Sequence, residues 1–316
     1  MISNDIHIPV LRREVVDNLR LKEGYIIYDG TLGGAGHTIA IIKAIAPTGK
    51  IIGVDLDSQA MSTATTKLKK AGFLDHVYMV RDNFANVSSI LKDLGIKQLD
   101  GFLLDLGISS LQIEKSGRGF SYIRDETLDM RFDNRQRITA ADILNTYSKE
   151  KLREIFFKYG EERWSSRIAK NIVIYRQDEE IKFTSQLIEI IKKSIPGSYR
   201  YRSRGHPAKR VFQALRIEVN KELDNLEKAI KSGFEFLGPG RRMVIVSYHS
   251  LEDRIVKKCF DFFSGLCICP PNFPVCRCNA KKRGKSITKK PVIPSSGEID
   301  ENPRAKSAKM RVFEKI

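Results

Sequence analysis

Short apolar runs, each closed by Gly or Asp, alternate with amphipathic stretches through the N-terminal third of the chain, and this rhythm limits the fold more than any other feature. Tyr25–Tyr28, Lys50–Val54, Val77–Val80 and Gly101–Leu104 read as buried strands, with helical patterns at Gly36–Ala46 and Ser58–Ala71 between them. Strands that alternate with helices predict a parallel sheet covered on both faces, an α/β doubly wound architecture. From about Glu114 to Lys209 the rhythm stops. Ala140–Asn145, Lys149–Tyr159, Trp164–Tyr175 and Thr184–Ser194 carry helical periodicity, and a further helix over Ala208–Ser232 leads to an apolar strand at Arg242–Tyr248. The expected organisation is one α/β domain, 1–113 with 210–316, and a helical domain, 114–209, inserted after the fourth strand. Insertion at a loop tip is tolerated because the flanking chain ends stay close. A final strand is expected at Lys309–Phe313.

The first strand runs into Asp29-Gly30-Thr31-Leu32-Gly33-Gly34-Ala35-Gly36-His37, which opens the first helix. Glycines there let backbone approach a ligand, and free amides at a helix start attract electronegative groups. No frame supplies the G-x-G-x-x-G of a dinucleotide fold, since Ile39 stands where the third glycine would fall. The crowded turn suits instead the methionine and sulfonium end of S-adenosylmethionine. Asp55 closes the second strand about twenty residues further on, where an acid can accept from both ribose hydroxyls. Asp57 or Ser58 would serve the following helix as its N-cap. Asn83-Phe84, after the third strand, offers adenine contacts, with Phe84 as an apolar face.

Asp105-Leu106-Gly107-Ile108-Ser109-Ser110-Leu111-Gln112 ends the fourth strand beside the switch point where open α/β sheets bind ligands. An exocyclic amine is a poor nucleophile because its lone pair is delocalised into the ring. Acceptors must hold its protons as the nitrogen becomes tetrahedral. Asp105, Ser109, Ser110 and Gln112 are of the right types. Ser247-Tyr248-His249-Ser250-Leu251-Glu252-Asp253-Arg254 ends on the same sheet edge. It is either pocket wall, with His249 touching a base, or a capping box of Ser250 with Asp253.

Charge narrows the partner. With 55 Lys+Arg against 38 Asp+Glu in 316 residues, the net charge of +17 favours a polyanion. Tyr199-Arg200-Tyr201-Arg202-Ser203-Arg204-Gly205-His206 interleaves cations with aromatics, as unpaired RNA bases require. Lys281-Lys282-Arg283-Gly284-Lys285 with Lys289-Lys290 forms a second basic stretch. No run is long and apolar enough to span a membrane and no secretory signal precedes the first element, so the expected compartment is the cytoplasm. Cys267, Cys269, Cys276 and Cys278 form a C-x-C-x₆-C-x-C array that could hold a structural zinc. The spacing is tighter than in usual zinc ribbons, so zinc stays an open reading and no metal is assigned to the functional site. Cys259 sits in an apolar helical pattern and reads as core.

Taken together, these blocks resemble the bacterial RsmH (MraW) family. The resemblance runs in order through His7–Leu11, Asp29–His37, Asp105–Gln112, Arg118–Ser121, Leu128–Arg131, Tyr159–Arg163, Phe212–Asn220, His249–Arg254 and Asn302–Arg304. It implies a Rossmann-like class I S-adenosylmethionine-dependent methyltransferase domain with an inserted α-helical domain that recognises RNA. The implied substrate is N4 of a cytidine in the decoding region of 16S ribosomal RNA, within the small subunit. The implied cofactor contacts are Ala35, Gly36, His37, Asp55, Phe84, Asp105 and Gln112. Asp105, Ser109 and His249 are the candidate catalytic residues. Ala35 stands where the family has glycine and could donate its amide if its φ is negative. Leu111, Tyr248 and Lys306 replace proline, phenylalanine and arginine. A nicotinamide-dependent oxidoreductase and a non-catalytic RNA-binding assembly factor are the rival readings.

Overall fold

In the computed structural model, which describes residues 9–108, 112–113, 116–198, 206–270, 273 and 275–316, the chain divides into two compact units: 1–107 with 223–316, and 108–222. The first unit runs α1 (Arg12–Leu19), β1 (Ile26–Asp29), α2 (Gly36–Ile45), β2 (Lys50–Val54), α3 (Ser58–Lys70), β3 (Val77–Val80), α4 (Val87–Asp93) and β4 (Leu99–Asp105). The helical unit then contributes α5 (Ala140–Thr146), α6 (Lys149–Gly160), α7 (Ser165–Asp178), α8 (Thr184–Ser194) and α9 (Lys209–Asn220). α10 (Glu222–Phe236), β5 (Leu237–Ser247), α11 (Ser250–Phe263), β6 (Gly284–Ser286), α12 (Ser296–Glu301) and β7 (Lys309–Lys315) complete the first unit.

The seven strands form one sheet in the order β3-β2-β1-β4-β5-β7-β6, parallel from β3 to β5 and antiparallel at β7 and β6. That is the Rossmann-like α/β fold expected. Because side chains alternate across a strand, each face feeds a separate core. Tyr28, Phe102, Leu104, Met243 and Ile245 pack with α4, α10 and α11, whereas Ile27, Leu103, Val244 and Val246 pack with α1 and α2. Both faces are therefore apolar, which explains the near-continuous hydrophobic runs. Gly233 lets α10 lie on Phe102, since a Cβ there would meet that ring at 2.4 Å.

Three expectations are corrected. The expected helix Ala208–Ser232 is two helices, broken at Lys221, whose φ is 50°. The boundary expected at 209 falls at 222, because α9 buries Val211, Phe212, Ala214 and Leu215 in the helical core. The one expected at 113 falls at 107, where Ile108 already packs against that same core. Periodicity shows that a helix buries a face but not which core receives it. Among the described residues, no helix is long and apolar enough to cross a membrane.

Candidate active site

Parallel pairing of β2, β1, β4 and β5 brings their carboxyl ends to one edge. Asp29, Asp55, Asp105 and Tyr248 therefore stand on that edge. β1 and β4 are neighbours from which the chain departs in opposite directions, the switch point of the sheet.

The glycine-rich turn is tied down by two acids. Asp29 is 1% exposed; its Oδ2 accepts from the Thr38 hydroxyl at 2.6 Å and its Oδ1 from the Thr31 amide at 3.2 Å. Burial pushes the Asp29 carboxyl above its usual range, against the Thr38 bond and the Thr31 amide. Asp55 accepts from the Gly33 amide at 2.9 Å and the Asp57 amide at 2.9 Å. Burial raises its pKa to about 6, although both amides pull it down. Asp57, not Ser58, caps α3 by accepting from the Gln59 amide at 2.9 Å. Asp55 is thus spared capping duty. Gly30 admits no side chain, since a Cβ would sit 2.5 Å from Leu104 and 3.0 Å from Phe84.

Asp105 is held from three sides. Its amide donates to the Thr31 hydroxyl at 2.7 Å, the Tyr248 hydroxyl donates to its Oδ1 at 2.8 Å, and His37 Nε2 lies 3.3 Å from its Oδ2. Burial and the Asp105 carboxylate raise the Tyr248 phenol far above its usual range, so it stays a donor. The His37 ring is only 7% exposed; its Nε2 faces the Asp105 carboxylate at 3.3 Å without an aligned hydrogen bond, and its Nδ1 has no hydrogen-bond partner among the described residues. A buried polar group left unpaired costs about 1–3 kcal/mol. The edge thus offers fixed acceptors, an imidazole beside the Asp105 carboxylate and a turn with no room for a side chain at Gly30.

Comparison with known proteins places this arrangement. The model of the MraW methylase family matches residues 4–316. The chain belongs to the MraW methylase family. The ribosomal RNA small subunit methyltransferase H of Lachnospira eligens is 49% identical over 310 residues, covering 98% of each chain. The protein of the same name from Halothermothrix orenii is 51% identical with the same coverage. The crystal structure of an rRNA methylase from Streptococcus thermophilus covers 100% of this chain and 99% of its own at 11% identity and a TM-score of 0.44.

For a MraW methylase, several expected site residues take particular places. Gly36 starts α2 under Pro9, where a Cβ would meet the proline ring at 2.5 Å. Ala35 is corrected: its φ is 60°, not negative, and its amide donates to the Leu32 carbonyl at 2.7 Å. Its amide therefore closes the turn instead of facing a ligand. Left-handed backbone costs an L-residue about 1–2 kcal/mol, a cost that glycine would not carry. Phe84 is partly buried against the core, and its carbonyl accepts from the Tyr28 hydroxyl at 3.0 Å. The Asn83 Oδ1 accepts from the Ala85 amide at 2.9 Å and so shapes that loop.

The capping box expected at Ser250 with Asp253 is also corrected. His249 is the N-cap of α11: its Nδ1 lies 3.4 Å from the Glu252 amide, and Glu252 Oε2 accepts from the Tyr248 and His249 amides at 2.7 and 3.2 Å. Asp253 instead holds Arg311 at 2.5 Å on β7. A cavity of about 310 Å³ is lined by Tyr248, His249, Ser250, Ile299 and Lys306. It does not touch the glycine-rich turn, so the carboxylates and His37, not this volume, mark the site. Ser109 lies outside the described residues. Gln112 belongs to the helical unit and is 7% exposed. Sequence reasoning missed Thr31, Thr38 and the Tyr248–Asp105 bond. The tyrosine in place of phenylalanine was the one signal for the last.

The basic stretch 281–290 is less free than its charge suggests. Arg283 donates to both Glu235 oxygens at 2.8 and 2.7 Å and stacks on Phe234, and Lys285 pairs with Glu314 at 3.0 Å. Lys281, Lys282, Lys289 and Lys290 are exposed.

Proposed function

We propose that this chain is a 16S ribosomal RNA methyltransferase that carries a methyl group from S-adenosylmethionine to N4 of a cytidine in the decoding region of the small subunit. The observation that carries this reading is the meeting, on one sheet edge, of Asp55, the buried His37 and an Asp105 fixed by Thr31 and Tyr248 and faced by the imidazole. The fit is chemical as well as spatial. Asp55 keeps acceptor capacity for ribose hydroxyls, the acidic edge suits a sulfonium, and His37 is buried with its Nδ1 to spare. Ala35, Gly36 and Phe84 shape the turn and the adenine side; Gln112 is a cofactor contact by the family resemblance alone. Names of the relatives at about half identity supply ribosomal RNA as the substrate class.

Bound S-adenosylmethionine would supply an already activated methyl group. The protein's share is then orientation and electrostatics. Asp105 accepts a hydrogen bond from the target amine and concentrates its lone pair, while Tyr248 keeps the carboxylate from turning away. Ser109, in the loop that follows in sequence, is a further candidate acceptor. His249 acts by fixing the start of α11, and hence Tyr248, instead of by exchanging a proton. Arg200, Arg202 and Arg204 neutralise RNA phosphates, and the His206 ring stacked on Tyr122 at 4.7 Å offers a platform for bases in the helical unit.

The decisive experiment is mass spectrometry of 16S RNA from cells with and without the gene, followed by methylation of the unmodified subunits by purified protein. One methyl group on a decoding-region cytidine should vanish and be restored. An unchanged RNA, with normal subunit binding, would instead support a non-catalytic assembly factor.

A further inference from the structure

Between α11 and β6 the chain forms a loop that holds four of the five cysteines. Its base is closed by the Ser264–Lys282 bridge and by the Arg283 amide on the Phe263 carbonyl at 2.7 Å. Among its described residues, the apolar Leu266, Phe273 and Val275 are 55%, 47% and 69% exposed and build no core. Yet the cysteines converge. Cys267 and Cys276 Sγ are 3.5 Å apart, Cys276 and Cys278 3.4 Å, and Cys278 and Cys267 3.9 Å. Counting Cys269, all four sulfurs lie within 4.8 Å of one another.

These separations are diagnostic. A disulfide would need about 2.05 Å, and all five cysteines are free. A tetrahedron with sulfur about 2.3 Å from its centre has edges of about 3.8 Å. Ligands of a multi-iron cluster would be splayed wider, because several irons lie between them. The C-x-C spacing also fits, since residues two apart on extended chain point to one side. The Arg277 amide lies 3.4 Å from Cys269 Sγ, a donor of the kind that orients a thiolate ligand.

We propose that Cys267, Cys269, Cys276 and Cys278 bind a single zinc ion as a tetrathiolate that holds this loop in shape. Zn²⁺ displaces four thiol protons, and four Zn–S bonds form with no change of oxidation state. The site carries two net negative charges, which Arg277, Lys281 and Lys282 in the same loop offset. Zinc suits it because a d¹⁰ ion accepts four thiolates without a geometric preference of its own. The ion binds where a loop without a core needs a staple.

The test uses the full chain, expressed with zinc and purified in reductant without chelator. Elemental analysis should give one zinc per chain. A Cys267→Ser, Cys276→Ser double variant should lose it. Cobalt exchange should produce the visible bands of a tetrahedral thiolate site. If the variant folds poorly, native wild type answers the question: alkylation should spare the four loop thiols until a chelator is added, and proteolysis within the loop should then accelerate. Zinc well below one per chain with thiols equally reactive before and after chelation would overturn the proposal. So would stoichiometric iron, or two disulfides found by mass in protein handled under reductant.

Discussion

Acidic side chains of the helical unit and those at the strand ends of the α/β unit serve opposite ends. In the helical unit they are matched: Asp129 grips the Arg131 guanidinium at 2.7 Å, Asp133 holds Arg135 at 2.9 Å, and Arg216 is bidentate on Glu222 at 2.8 and 3.0 Å. Burial alone would raise the Asp129 pKa, but the Arg131 bonds bring it below the usual range. At the strand ends of the α/β unit, Asp29 and Asp55 are buried with amides and a hydroxyl as their hydrogen-bond donors and no arginine or lysine, and burial raises both. Acids matched by arginine stabilise a fold. Acids buried without a countercharge cost stability and are the ones poised for a cationic ligand.

The largest effect expected from this contrast is at Asp105. Asp105→Asn should lower kcat by about 100- to 1000-fold, the usual loss when one fixed transition-state partner is removed. Methyl incorporation into unmodified small subunits measures it, and a loss confined to KM would break the contrast. Asp55→Asn should weaken S-adenosylmethionine binding by about 10- to 100-fold, the worth of hydrogen bonds to a charged acceptor, in a calorimetric titration. RNA affinity should hardly move. Neutralising Arg200, Arg202 and Arg204 should do the converse: subunit affinity falls by about tenfold and the salt slope flattens by about 2, with cofactor affinity unchanged. An unaltered slope would remove RNA binding from that segment.

Acid and alkaline limbs of stability sharpen the comparison most finely. Asp129, depressed in the folded state, contributes stability above the unfolded carboxylate pKa of about 3.9 and loses it as pH falls below that value. Asp55, raised to about 6, has the opposite sign: its contribution is present below about 3.9 and lost as pH climbs to about 6. Unfolding curves of the unliganded protein should therefore show the acid limb flattened by Asp129→Asn. The decline between those pH values should be removed by Asp55→Asn. Effects exchanged between the two variants would contradict the division of labour.

Most of the scaffold was legible because buried β-branched runs have few alternatives. Lys50–Val54 forms a buried strand at the predicted residues; Val77–Val80 also forms its strand but, at the sheet's edge, is only partly buried where a buried strand was expected, and the helix at Thr184–Ser194 falls as predicted. What escaped depends on geometry that side-chain type does not announce. Lys221 and Ala35 adopt left-handed backbone with no glycine or asparagine to signal it. His249 caps a helix whose obvious cap, Ser250, lies one residue inside. Tyr248 and Asp105 meet across 143 residues of sequence, on strands that only the folded sheet makes neighbours. The acids at the strand ends were readable as residue types, and the pairing that holds each carboxylate was not.

The central claim is that the carboxyl edge between β1 and β4 seats the methyl donor. A crystal structure with S-adenosylhomocysteine tests it directly. The ribose hydroxyls should lie on Asp55, with the His37 ring newly hydrogen-bonded and the sulfur facing Asp105. A ligand found instead in the cavity beside Ile299 and Lys306, or a glycine-rich turn left untouched at saturating ligand, would contradict the account.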